Sequence, residues 1–503
     1  MNSRSRHALG AMLAAVLITA CASTAPGASI CTRSSSAAHA GGQALADEGG
    51  RGGGDEVAEE AELTDKRLEA FEAARASGVV GVGLSIENAP APGWNGEQLL
   101  NKATDDWEPA VAADPNAPHV YMLTTRYGEP KTCPKHCPTP YLALTVSSDG
   151  GKSWGAQAPL CVCRGSGAQY DPTIEVVPET GDVYSTFLNA DRAGGFSTVF
   201  LKSDDHGKTW TDPVHVYGHV AWTDKPEVTS SANGRHVYVS WNGPQGGDLY
   251  VGISHDFGST WSQVKLSSSK RYYYAYDASV LPDGTVVFSE SSLRYTGGGQ
   301  TVEGPVWHHA LISRERGRTW HNVVVDKVAN GEPCVAEGCP DDYYTGQTSV
   351  ASDTAGHLAF AYEGATFDGG PQRVYVRTSD DQGRTWSKRV ALSVQGENAT
   401  GPRIDFAGAG EGRIWYAQTS RGGNPDAWNV WFRSSNDGGS TWSPPVKLSD
   451  ATSGPGYIGP NGFKEIYGDY GEIAVTNRAK TIAVWGEGFS YLGPGGTWFA
   501  LEK

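Results

Sequence analysis

Ser203-Asp204-Asp205-His206-Gly207-Lys208-Thr209-Trp210 is the stretch whose reading decides how this chain is built. It fits the pattern Ser-x-Asp-x-Gly-x-Thr-Trp, and so do Ser147–Trp154, Ser254–Trp261, Ser313–Trp320, Ser379–Trp386 and Ser435–Trp442. Ser153 replaces the threonine in the first copy and Glu315 the aspartate in the fourth. An acidic side chain at the third position accepts hydrogen bonds from backbone N–H groups of its own turn. The glycine takes a backbone angle that other residues resist, and the tryptophan just beyond is placed to pack its ring against the neighbouring strands. The six tryptophans recur every 51–66 residues, the length of one four-stranded blade with variable loops.

Strand patterns flank each copy. Thr173–Val177, Asp182–Leu188 and Thr198–Lys202 precede the second, and Val214–Tyr217 follows it, so the motif joins the third and fourth strands of a blade. The fold class is therefore all-β, a β-propeller over residues 79–503. Glu472–Thr476, Thr481–Trp485 and Thr497–Leu501 read as three strands of a seventh blade. Its fourth strand is expected from Val80–Ile86, because pairing the first and last segments removes exposed sheet edges. Six blades with irregular termini is the alternative count.

The 65 glycines and 51 aromatic residues among 503 suit short strands and tight turns. A formal charge of −16 repels phosphate backbones, so nucleic acid is not an expected partner. No glycine loop between a strand and a helix marks a nucleotide site, and neither a cofactor nor a metal is expected. Arg4, Arg6 and His7 precede an apolar run of 11 residues, Ala8–Ile18, too short to span a bilayer. Ile18-Thr19-Ala20-Cys21 resembles the lipobox of bacterial lipoproteins. Residues 1–21 then form a signal peptide, Cys21 is the lipidated residue, and the chain is a monomer held at the cell surface by a lipid anchor; ordinary secretion is the alternative. Residues 22–78, rich in Gly, Ala and Glu, read as a flexible tether with a short helix over 65–77. In an exported chain Cys133, Cys137, Cys161, Cys163, Cys334 and Cys339 read as disulfides. Cys334 is expected to pair with Cys339, and the connectivity of the other four is open.

In a propeller the third-to-fourth-strand turns lie on one face and the inter-blade loops on the other. The six motif acids are thus structural. The opposite mouth collects the starts of first strands and the ends of second strands: Asp171, Asp224, Tyr276-Asp277, Tyr343-Tyr344, Arg403, Asp469, Arg126, Trp241, Glu290 and Arg294. Carboxylates, tyrosines and arginines around one mouth suit sugar binding, with aromatics for sugar faces and carboxylates as acid and base.

The repeated motif resembles the Asp boxes, or BNR repeats, of the sialidase superfamily, and the resemblance spans roughly residues 79–503. It implies an exo-acting glycoside hydrolase on extracellular glycans. Asp277 or Glu290 would be acid/base, Tyr276 or Tyr344 the nucleophile, and Arg126, Arg294 and Arg403 a clamp for an anionic sugar, with Asp171, Asp224, Trp241 and Asp469 in the substrate site. Where those enzymes carry Arg-Ile-Pro at the first strand, this chain has Trp107-Glu108-Pro109. Lys131–Pro140 holds no aspartate at the place of their acid/base. The competing expectation is a non-catalytic propeller that holds a glycan or protein at the same mouth.

Overall fold

A computed structural model describes residues 53–79, 89–128, 137–161, 165–192, 195–216, 224–243, 247–267, 271–296, 301–420 and 424–503. Among the described residues seven antiparallel sheets follow one another around a ring, five of them four-stranded, the sixth widened to six strands and the seventh to five. The first blade runs Asp105–Ala113, Val120–Tyr127, Tyr141–Ser147 and Ala158–Pro159, each strand paired to the next. The innermost strands of the next five blades are Ser166–Val176, Asp224–Ser230, Tyr272–Val280, Thr348–Ser352 and Ala399–Phe406.

The seventh blade combines Glu472–Val475, Thr481–Gly488 and Gly495–Leu501 with Gln98–Leu99. Gln98 pairs with Phe499 and Leu99 with Trp498, and Trp94 bridges Glu502 just beyond. The strand that closes the ring is thus Gln98–Leu99, nearer the first blade than the Val80–Ile86 read from sequence, which lies outside the described residues. Two residues carry too little periodicity to be seen as a strand; pairing alone defines them.

The six motif turns each join a third to a fourth strand. In the second, the Ser203 hydroxyl accepts the Gly207 N–H at 2.9 Å, and Asp205 accepts both the N–H and hydroxyl of Thr209, at 2.8 and 2.6 Å. His206 and Gly207 are both left-handed, at φ 60° and 77°. The motif tryptophans fill the seams between blades: Trp261 meets Phe200 edge-on at 5.3 Å, and Trp154 meets Phe499 at 5.5 Å, across the ring closure.

Part of the stretch read as a tether is helical. Helix α1 spans Gly53–Ala76, well beyond the 65–77 expected. Its alanines, glutamates and leucines favour helix, and Leu63, Arg67 and Phe71, four apart on one face, are buried together with Thr64. The Arg67 guanidinium lies 3.7 Å from the ring centre of Trp107 and donates to the Tyr127 hydroxyl at 3.1 Å. Cys21 and the expected signal peptide lie outside the described residues, as do Cys133 and Cys163. Cys334 and Cys339 are bonded to each other, and Cys137 and Cys161 are each disulfide-bonded.

Candidate functional site

Three consecutive blades start their innermost strands alike: Trp107-Glu108-Pro109, Tyr170-Asp171-Pro172 and Asp224-Lys225-Pro226. At each the ladder slips, between Trp107 and Ala110, Tyr170 and Thr173, and Asp224 and Glu227. A bulge re-aims the side chain of the extra residue. Glu108, Asp171 and Lys225 are left-handed there, at φ 55°, 48° and 45°, and Asp469 before the seventh blade joins them at 40°. Non-glycine residues held there cost about 1–3 kcal/mol each, and such strain concentrates at working sites.

The four side chains meet. One carboxylate oxygen each from Glu108, Asp171 and Asp469 lies within 4.8 Å of the others. Lys225 Nζ stands 2.6 Å from Asp469 Oδ2 and 3.4 Å from Asp171 Oδ1. Glu108 Oε2 accepts the Thr125 hydroxyl at 2.6 Å and the Asp171 N–H at 2.8 Å. Burial, reinforced by Asp171 and Asp469, holds the Glu108 carboxyl well above the usual range, against the pull of Lys225. Burial also works against the charge of Lys225, but Asp171, Asp469, Asp224 and Glu108 outweigh it and raise its pKa well above the ordinary value. The site thus sets a carboxyl whose protonated form is favoured beside two that pair with an ammonium, an arrangement that suits acid–base chemistry.

These groups open into a cavity of ≈ 120 Å³. Tyr272, Tyr274 and Tyr276, alternate residues of one strand, share a wall. Tyr170, Tyr343 and Tyr491 line it elsewhere, and Leu63 of α1 contributes to the lining. The Thr64 hydroxyl is 2.9 Å from that of Tyr170, so α1 is fastened at the rim. Asp342 and Tyr343 follow the Cys334–Cys339 bridge, and the Tyr343 hydroxyl donates to the Ile466 carbonyl at 2.8 Å.

Of the residues singled out from sequence, Tyr276, Tyr343, Asp171, Asp224 and Asp469 line this cavity together. The others lie elsewhere. Asp277 follows Tyr276 but faces the next blade, accepting the Ser349 hydroxyl and, at 3.0 Å, the Val350 N–H; burial pushes it up to about 6. Glu290 lies between the third and fourth blades, accepts the Ser240 hydroxyl at 2.6 Å, and is pushed by burial up to about 8. Tyr344 turns opposite to Tyr343, donates to Glu465 and packs on Trp428. Arg126 grips Asp106 with two hydrogen bonds, of 2.7 and 2.9 Å, inside the first blade. Arg403 is fully buried, bound to the Gly471 carbonyl at 2.6 Å, and lines an adjoining pocket that shares Asp171, Lys225 and Tyr276 with the cavity. Arg294 is exposed. Trp241 is fully buried and stacks on Tyr250 within its blade. Glu108 was missed as a site residue; its signal is the charged residue before proline that recurs at Asp171 and Lys225, at the same place in adjacent blades.

A second grouping lies near a motif turn. Ligand atoms of Asp114, His119 and His206 also fall within 4.8 Å of one another, with the two imidazoles stacked at 4.1 Å.

No family model matches the sequence. Among solved structures the chain is similar to a Hadza microbial sialidase, at 14% identity and a TM-score of 0.45 over 79% of this chain and 66% of that one. It is also similar to a Dyadobacter fermentans protein of unknown function, at 14% identity and 0.47 over 82% and 99%. An ulvan lyase of polysaccharide lyase family 25 aligns at 12% identity and 0.46 over 78% and 93%.

Proposed function

We propose that this chain is a carbohydrate-active propeller that hydrolyses a glycosidic bond at its mouth. The observation that carries this reading is the convergence of Glu108, Asp171 and Asp469 around Lys225 in an aromatic-walled cavity. Glu108, holding its proton, is the acid that protonates the leaving oxygen. Asp171 supports the sugar carbon on the other side, as nucleophile or as base to a water. Lys225 bridges Asp171 and Asp469 and holds them in place. Burial pushes the Tyr276 phenol up, so it serves as a hydrogen-bond donor rather than as nucleophile. Export, with anchoring at Cys21, belongs to the same proposal, since it would bring the mouth to extracellular glycans; a Cys21→Ala chain should then leave the membrane fraction.

The test is release of reducing ends by the purified chain from a panel of oligosaccharides. Glu108→Gln and Asp171→Asn should each lower kcat by about a hundredfold or more while saccharide binding persists. An unsaturated product would mean elimination and overturn hydrolysis. Binding without turnover would favour a non-catalytic glycan-binding propeller, a reading suggested by α1 at the rim and by the ion pairing of two of the three carboxylates.

A further inference from the structure

The charge of the mouth narrows what it accepts. Five carboxyl groups line the cavity, from Glu108, Asp171, Asp224, Asp342 and Asp469, with Lys225 as the one cation among the described lining residues. Lys225 is committed to Asp171 and Asp469. The other two aspartates are tied to the tyrosine wall. Asn242 Nδ2 donates to Asp224 at 3.4 Å and to the Tyr272 hydroxyl at 3.2 Å. The Tyr295 hydroxyl donates to Asp342 and lies 2.9 Å from that of Tyr274. The rings of Tyr272 and Tyr274 are 4.9 Å apart, and those of Tyr274 and Tyr276 6.2 Å.

An aromatic wall flanked by carboxylates is the chemistry that recognises an ammonium: ring faces attract the cation and carboxylates take its hydrogens. The same wall repels a sugar carboxylate, whose usual partner is a bidentate arginine. Arg126 is spent on Asp106, and Arg403, bound to the Gly471 carbonyl, lines an adjoining pocket and not this one.

We infer that the mouth binds a saccharide bearing a free, protonated amino group, a hexosamine-containing oligosaccharide rather than a sialoside or uronide. The amine sits against the Tyr272–Tyr276 wall between Asp224 and Asp342. This inference rests on the saccharide reading above and deepens it.

Calorimetric titration of the full chain tests it, with glucosamine oligomers, the same oligomers fully N-acetylated, and oligogalacturonate. The glucosamine oligomer should bind about tenfold more tightly than its N-acetylated counterpart, and oligogalacturonate should not bind. Asp224→Asn and Asp342→Asn should each remove most of that preference. Asp380→Asn, at a side chain 82% exposed, should leave it intact. A preference that Asp380→Asn lowers equally is surface electrostatics and overturns the inference, as does equal binding of both oligomers or tight binding of oligogalacturonate. If neutral oligosaccharides are bound and cleaved without regard to the amine, the saccharide reading stands and this inference falls. If none binds to a chain with native circular dichroism, both fall.

Discussion

Lys225 and Asp469, 244 residues apart in sequence, meet at 2.6 Å and join the third blade to the seventh across the mouth. The contact closes no sheet and fills no core. It neutralises a cluster in which Glu108, Asp171 and Asp469 present carboxylate oxygens within 4.8 Å of one another. Strained backbone on both sides is held for it, at φ 45° and 40°.

Removing that ammonium should be costly. In Lys225→Met the carboxylates lose their counter-charge in a site where the Lys225 side chain is only 16% exposed. Breaking such a pair costs about 3 kcal/mol, read as a lower urea midpoint. Lys225→Met with Asp469→Asn should recover part of the loss, because the second change removes one of the stranded charges. A Lys225→Met chain as stable as the parent would show that Lys225 is not the counter-ion.

Stability should fall as pH rises through neutrality. Burial pushes Glu175, Glu290, Glu363 and Glu487 up to about 8 and Asp105 to about 7. Unfolded, these groups titrate near 4.5 and 3.8. Between those values the folded chain keeps protons that the unfolded chain has released. Their contribution is complete below the unfolded values and is lost on the way to pH 8. Asp149, Asp205 and Asp256 act oppositely: the hydroxyls of Ser153, Thr209 and Thr260 hold them at about 2, and their contribution is lost only as pH falls towards that value. The Tm should therefore peak near pH 4–5, and Glu290→Gln should flatten the alkaline limb. A Tm that climbs from pH 5 to pH 8 would contradict this.

The fourth motif turn is the weak one. Thr319 reaches Glu315 Oε2 only at 3.3 Å, whereas Thr209 reaches Asp205 at 2.6 Å and adds its N–H at 2.8 Å. The longer glutamate arm overshoots the turn. Glu315→Asp should stabilise by about 0.5–1.5 kcal/mol, the net worth of a hydrogen bond, while Asp205→Ala should destabilise. Matched urea midpoints of Glu315→Asp and its parent would sink the idea.

The ring was legible because a blade repeats: six turns with one chemistry report spacing and strand order without any knowledge of contacts. The mouth was harder to read because its residues lie where the ladder slips. Strict alternation inside a strand sends neighbours to opposite sides, and a bulge resets the count. Hence Tyr276 reaches the cavity while Asp277 faces the next blade; Tyr343 and Tyr344 lie in the turn before the next strand, where no alternation applies, and only Tyr343 lines the cavity. Arg126 looked like a clamp because nothing local reveals that Asp106, on the adjoining strand, already holds it. Helix α1 was underestimated for a related reason: Leu63, Arg67 and Phe71 make a stripe too sparse to stand out, and its partners Trp107 and Tyr127 lie far along the chain.

That helix supplies the last prediction. Helices in proteins draw most of their stability from packing one face against the rest of the molecule, so α1 depends on its docking. Phe71 is 2% exposed, and its ring comes so close to Gly128 that a Cβ there would stand 2.5 Å from Cε1. Gly128 is also left-handed, at φ 87°, so no side chain takes its place cheaply. Arg67 stacks on Trp107, the neighbour of Glu108. Since these contacts hold α1 and not the blades together, Arg67→Ala with Phe71→Ala should free the helix and spare the ring. Amide exchange over 63–76 should rise by orders of magnitude while the Tm of the propeller changes by a few degrees at most. With Leu63 withdrawn from the lining, longer oligosaccharides should bind more tightly than to the parent chain. Unchanged exchange in the double variant would mean that α1 is held by something other than this stripe, and global unfolding would mean that it belongs to the core.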